Sequence, residues 1–198
     1  MNLPNAITLS RIPLMFVIVG LMYWDHPGAA TAAFVLFIAA AVGDWLDGYL
    51  ARTRNLISNF GKLMDALADK IMVMGIVIAL VEKREVPVYL ALITLCREFL
   101  VTGMRMVAAS KGVVVAADTG GKSKTLTQLI ALGFFLAAPM VARDGYVLFH
   151  WVPGTFVSVL YQIGFWGFVL STVLSIWSGA RYIARNARIV FAEERSPA

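Results

Sequence analysis

The chain has a single cysteine, Cys96, so it forms no intramolecular disulfide, and that thiol reads as a small core residue. It has two histidines, His26 and His150, both in turns between apolar runs. They read as solvated loop residues, and without Cys and His together no zinc cluster is expected. Charge is scarce: 15% of the 198 residues are charged and 60% are hydrophobic. A mean hydropathy of +0.77 excludes an ordinary soluble domain and fits a polytopic helical membrane protein. There is no polar Pro/Gly/Ser-rich linker, internal repeat or low-complexity segment, so residues 1–198 read as one domain. No basic segment precedes the first apolar run, whose first charge is Arg11, so the N-terminus does not read as a secretory signal. The small residues GAATAA at 28–33 run straight into the next apolar segment and read as a helix start. The net charge of +5 does not point to nucleic acid, because the basic residues stand at the ends of apolar runs.

What the chain does have is apolar runs long enough to cross a bilayer as helices. Residues 1–11 are expected to form a short interfacial helix or hook, with Arg11 facing phosphate or water. Spans are expected at about 12–24, 29–50, 60–81, 87–109, 125–142 and 155–177, with 111–124 a basic, glycine-containing loop. The prediction is therefore an all-α protein with six transmembrane helices. Lys and Arg set its orientation. Arg11, Arg52, Arg54, Lys62, Lys111, Lys122, Lys124 and the C-terminal arginines fall on one side, and only Lys83, Arg84 and Arg143 on the other. That asymmetry predicts both termini in the cytoplasm.

Against this background the stretch from Asp44 to Asp69 stands out, with four carboxylates: Asp44, Asp47, Asp65 and Asp69. Each costs about 2.5–3.5 kcal/mol at bilayer depth even on a lenient scale. Asp44, Asp47, Gly48 and Ala51 stand at i, i+3, i+4 and i+7, one helix face, with Arg52 beside it. Gly61, Asp65 and Asp69 at i, i+4 and i+8 form a stripe on the next helix. A hairpin of the two helices brings the stripes together, and four facing carboxylates repel unless a cation neutralises them. Oxygen ligands suit Mg²⁺, Mn²⁺ or Ca²⁺. Gly48, Ala51 and Gly61 leave room for a ligand close to the backbone, or serve only close helix packing. Arg52 carries a fork of donors suited to phosphate. The other readings of such carboxylates are pairing with arginines or a cation pathway. The apolar run from Val73 to Leu80 argues against a through-path.

Written out, the motif is D-x2-D-G-x2-A-R-x8-G-x3-D-x3-D, filled by Asp44, Asp47, Gly48, Ala51, Arg52, Gly61, Asp65 and Asp69. It resembles the signature of the CDP-alcohol phosphatidyltransferases at every fixed position. Three softer matches, NLPNAITLSRI at the start, REFLVTGMR from Arg97 to Arg105 and GKSKT from Gly121 to Thr125, are similar to bacterial members that use sn-glycerol 3-phosphate. The resemblance implies transfer of a phosphatidyl group from CDP-diacylglycerol to that alcohol, with release of CMP. It implies two Mg²⁺ or Mn²⁺ ions on Asp44, Asp47 and Asp65, with Asp69 near the metal and suited to act as catalytic base. Asp47, Gly48, Ala51, Arg52 and Gly61 would bind CDP. It further implies a homodimer, embedded among membrane lipids in a bacterial inner membrane, with its active site facing the cytoplasm.

The acceptor's phosphate needs cations of its own. Arg105, Lys124 and Arg181 are the candidates, with Arg97 and Lys122 in reserve; each also reads as a positive-inside anchor. Arg97 and Glu98 lie deeper in the fourth span and read as an internal ion pair. Asn5, Thr8 and Arg11 are candidates for closing the nucleotide pocket. The rival readings are another acceptor within the same chemistry (serine, inositol phosphate, choline or phosphatidylglycerol), and, remotely, a cation channel or transporter.

Overall fold

The computed structural model describes residues 3–54, 59–110, 119–149 and 153–191. Within the helices it leaves undescribed the side chains of 3–9, 44–54, 59–67, 69, 109–110, 119–122, 148–149 and 187–191. All regular structure among the described residues is helical. In chain order the helices are α1 (Leu3–Tyr23), α2 (Ala29–Arg54), α3 (Asn59–Glu82), α4 (Val88–Ser110) and α5 (Thr119–Pro139). A π-helical turn (Met140–Gly145), the four-residue α6 (Tyr146–Phe149) and α7 (Gly154–Phe191) follow.

Two boundaries differ from expectation. The N-terminal segment is not a separate hook: residues 3–23 form one helix through Pro13. A proline inside a helix removes one backbone N–H, a loss this helix absorbs without ending. The basic loop also ends early, because α5 begins at Thr119 and takes Gly121 to Lys124 into its first turns. Two helical stretches, Ser123–Gly145 and Gly154–Asn186, are long and apolar enough to cross a membrane, and Ser10–Tyr23 and Ala29–Gly43 are shorter apolar helical stretches. At 38 residues α7 is about 57 Å long, well beyond a hydrocarbon core of about 30 Å.

The core is built where five of these helices meet. Ile18 of α1, Phe37 of α2, Ile76 and Leu80 of α3, Leu132 and Phe135 of α5 and Phe168 of α7 are buried together. The α5–α7 seam is tight because α7 presents glycines there. A Cβ on Gly164 would lie 3.2 Å from Phe135 Cγ, and one on Gly167 3.3 Å from Ala131 Cβ. Such small-residue contacts let membrane helices approach closely. The outward faces carry Phe16, Val35, Ile78, Leu92, Phe99, Leu100, Trp166 and Leu170, all exposed. An apolar surface on every long helix is what a lipid solvent selects, and the chain is built as a membrane protein. Cys96 belongs to that surface: it is exposed on α4, not a core residue as its size suggested. A thiol behaves as a small hydrophobe, so an apolar face accommodates it as well as a core does.

The turns are held by specific bonds. Gly28, at φ 87°, ends the first connection and opens α2, which has no capping side chain of its own. The cap comes from far along the chain. The Asp144 carboxylate in the π-helical turn accepts from Gly28 N (2.9 Å), Thr31 N (2.7 Å) and Thr31 Oγ1 (2.6 Å). Beside it Arg143 Nη2 donates to Asp25 Oδ1 at 2.5 Å and to the Trp24 carbonyl at 3.2 Å. The α3–α4 turn closes with Arg84 at φ 61° and the N–H groups of Glu85 and Val86 on the Leu80 carbonyl. His26 is exposed in its turn as expected, with Nδ1 2.8 Å from the Pro27 carbonyl; His150 lies outside the described residues.

Candidate active site

On α2 the residues Ala33, Phe37 and Ala40 are buried, at 1%, 1% and 8% exposure. They stand at i, i+4 and i+7, and Asp44 and Asp47 continue the same stripe at i+11 and i+14. On α3 the buried Met72 and Ile76 stand three and seven residues after Asp69. Asp65, Asp69, Met72 and Ile76 thus share one register. The two aspartate stripes are the continuations of inward-facing stripes on adjacent parts of the core. Met15 of α1 packs against both Ala40 and Met72, so α1, α2 and α3 meet about one turn from the aspartates. Gly75 allows the approach: a Cβ there would fall 2.3 Å from Met15 Sδ. Among the described residues α1 and α5 each pack on both motif helices, and α2 and α3 do not pack as a bare hairpin.

The motif residues Asp44, Asp47, Gly48, Ala51 and Arg52 fall in α2, and Gly61, Asp65 and Asp69 in α3. Their side chains lie outside the described residues, as do those of Asn5, Thr8 and Lys122. Arg11 does not face water: it is 4% exposed, one turn before Met15 on α1.

The basic candidates separate into two settings. Lys124 is buried, 3% exposed, and its Nζ donates to Glu98 Oε1. The same oxygen accepts from Arg97 Nη1 at 2.7 Å, which establishes the Arg97–Glu98 ion pair. Arg97 reaches on to α7, with Nε donating to the Ser175 carbonyl at 3.0 Å and Nη2 to Ser178 Oγ at 2.7 Å. Gly179 makes room for this arm, since a Cβ there would lie 3.0 Å from Arg97 Cγ. One turn toward the other end Thr94 and Thr172 share a hydrogen bond of 3.2 Å. A polar seam thus runs between α4, α5 and α7. Arg105 is exposed, its guanidinium 5.4 Å from the ring of Tyr182, whose side chain is buried at the seam's end. Arg181 stands 4.7 Å over the exposed Trp177, on the side of α7 away from Ser175, Ser178 and Tyr182. The structure brings Lys124, Arg97 and Glu98 together and leaves Arg181 apart from them. Sequence spacing gave no sign of Gln128, Ser175 and Tyr182; only the packing of α5 and α7 shows that they are buried with polar atoms to satisfy.

A cavity of about 160 Å³ lies at the other end of the bundle, lined by Ala33, Lys83, Glu85, Phe135, Arg143 and Tyr161 among others. Ala33 and Asp47 are 14 residues apart on α2, about 21 Å, so this cavity is remote from the aspartates. Within it Tyr161 bonds to Glu85, and burial outweighs the attraction of Lys83 and that bond, so the Glu85 carboxyl is pushed above the ordinary value of 4.5.

Comparison with known proteins now bears on this arrangement. The family model for CDP-alcohol phosphatidyltransferase matches residues 1–177. The chain belongs to the CDP-alcohol phosphatidyltransferase family. A Bacillus subtilis relative named CDP-diacylglycerol–glycerol-3-phosphate 3-phosphatidyltransferase is 39% identical over 93% of this chain and 95% of its own. A Rickettsia bellii relative of the same name is 40% identical over 68% of this chain and 75% of its own. A rice relative named cardiolipin synthase (CMP-forming) is 33% identical over 96% of this chain and 59% of its own. As a CDP-alcohol phosphatidyltransferase the chain is an enzyme, a phosphotransferase. Relatives named for different products match nearly the whole chain. Discrimination among acceptor alcohols therefore rests on side chains that vary within a shared fold.

Proposed function

We propose that this chain transfers the phosphatidyl group of CDP-diacylglycerol to a hydroxyl of sn-glycerol 3-phosphate, giving phosphatidylglycerophosphate and CMP. The observation that carries the reading is the complete eight-position motif, five positions on α2 and three on α3. The relatives named for this reaction support the acceptor. The donor set fits hard divalent cations: four carboxylates and no Cys or His within the motif. Asp44, Asp47, Asp65 and Asp69 would hold two Mg²⁺ or Mn²⁺ ions, which when bound neutralise charge on the pyrophosphate and the leaving CMP. Asp47, Gly48, Ala51, Arg52 and Gly61 bind the CDP moiety, the small residues admitting it to the backbone and Arg52 gripping a phosphate. Asp69 accepts the proton of the attacking hydroxyl. The hydroxyl oxygen bonds to the lipid-bearing phosphorus, the bond from that phosphorus to CMP breaks, and CMP leaves with the electron pair. Arg105 and Lys124 receive the acceptor's phosphate, whereas Arg181, over the exposed Trp177, stands apart from Lys124.

In the same reading the chain spans a bacterial inner membrane six times, with both termini and the aspartates at the cytoplasmic side, and works as a homodimer among membrane lipids. The Lys and Arg asymmetry supports that orientation. The rice relative favours a second acceptor, phosphatidylglycerol, within the same chemistry. One assay decides. Purified protein in detergent receives CDP-diacylglycerol, Mg²⁺ or Mn²⁺, and a panel of alcohols, and CMP release is measured. Release with sn-glycerol 3-phosphate is expected; release only with phosphatidylglycerol, serine or inositol phosphate sinks the assignment.

A further inference from the structure

Glu98 is a half-buried charge that the proposed transfer leaves without a role. Its Oε1 accepts from Arg97 Nη1 and from Lys124 Nζ at once. Arg97, Lys124 and Glu98 together leave one net positive charge on this trio. An ammonium carries three donors, and Glu98 takes one of those on Lys124. The position of Glu98 is itself fixed, because Arg97 is bound on its far side to the Ser175 carbonyl and Ser178 Oγ. Along the same seam Gln128 Nε2, Ser175 Oγ and Tyr182 OH are buried without a hydrogen-bond partner among the described residues. Gln128 stands one turn after Lys124. Lys70, which directly follows Asp69 on α3, is close enough for its charge to act on Lys124. A cationic, donor-rich seam beside the aspartate helix is suited to an anion that carries hydroxyls.

We propose that Glu98 is a positioning residue for the acceptor. It fixes the Lys124 ammonium at one place relative to α3, where it meets the acceptor's phosphate. This rests on the proposed reading of Lys124 as an acceptor-phosphate ligand. The physical need is clear. A lysine arm of four carbons samples many rotamers, and a buried ammonium without a counter-charge moves toward water. The carboxylate at 98 removes both freedoms before the acceptor arrives.

Two variants of the full chain test it. Glu98→Asp keeps the counter-charge and shortens the reach by one methylene; Glu98→Gln keeps the shape and drops the charge. Each should raise the KM for sn-glycerol 3-phosphate about tenfold while leaving the KM for CDP-diacylglycerol within about twofold. The melting temperature of Glu98→Asp in detergent should stay close to that of the wild type. A wild-type acceptor KM in both variants, or equal rises for both substrates, overturns the positioning role alone. A wild-type enzyme that releases CMP only with alcohols lacking a phosphate removes the parent reading, and this inference with it.

Discussion

Asp69 and Asp47 carry the same carboxylate, and the proposed mechanism gives them different work, a proton for Asp69 and a metal ion for Asp47. Asp69→Asn should abolish turnover with only a modest loss of CDP-diacylglycerol binding, because the amide cannot take the hydroxyl proton. Asp47→Asn should weaken metal-dependent binding as well, since a ligand is lost. Binding isotherms with and without Mg²⁺ separate the two, and equal losses would make Asp69 mainly a ligand. Glu85 shows the opposite use of an acid. Its folded carboxyl is raised by burial, against the opposing pull of Lys83 and Tyr161. Its favourable contribution is therefore fully present below the ordinary value of 4.5 and is lost as pH rises through the raised folded value. The melting temperature of the wild type should fall over that window. Glu85→Gln, measured at the same pH values, should flatten the fall.

At the scale of elements, the N-terminus of α2 depends on another part of the chain. Asp144 satisfies two backbone N–H groups there and a hydroxyl, and its charge complements the positive end of the helix. Asp144→Ala should cost about 2 kcal/mol, read from thermal unfolding in detergent, and Asp144→Asn less, because an acceptor oxygen remains. The elements themselves were legible in the sequence, since a hydrophobic run is a local property. The misplaced boundaries came from ending the N-terminal segment at Arg11 and reading 111–124 as one loop. Pro13 costs α1 one hydrogen bond. The charge of Lys124 is met by Glu98 inside the bundle, so α5 can begin before it. Neither compensation is written near the residue it rescues. The same holds for Asp144, whose partner Thr31 is 113 residues away.

For the whole molecule, the aspartate motif was readable because all eight positions lie within one stretch of two helices. The polar seam was not, because it needs α4, α5 and α7 side by side. Only the Arg97–Glu98 pair, adjacent in sequence, could be anticipated. Orientation is the remaining global property, and it is testable without activity. With Cys96 changed to Ser, a cysteine at His26 should react with a membrane-impermeant maleimide added outside intact cells. A cysteine at Ser196 should react only after the membrane is opened. Outside labelling at Ser196 would reverse the assigned topology.

The clamp between Asp144 and the start of α2 also has a consequence in time. A ribosome delivers Gly28 and Thr31 more than a hundred residues before the carboxylate that completes them. Until α5 and its π-helical turn are made, the start of α2 must satisfy those N–H groups with water. Asp144 therefore completes the start of α2 only after most of the chain has been made.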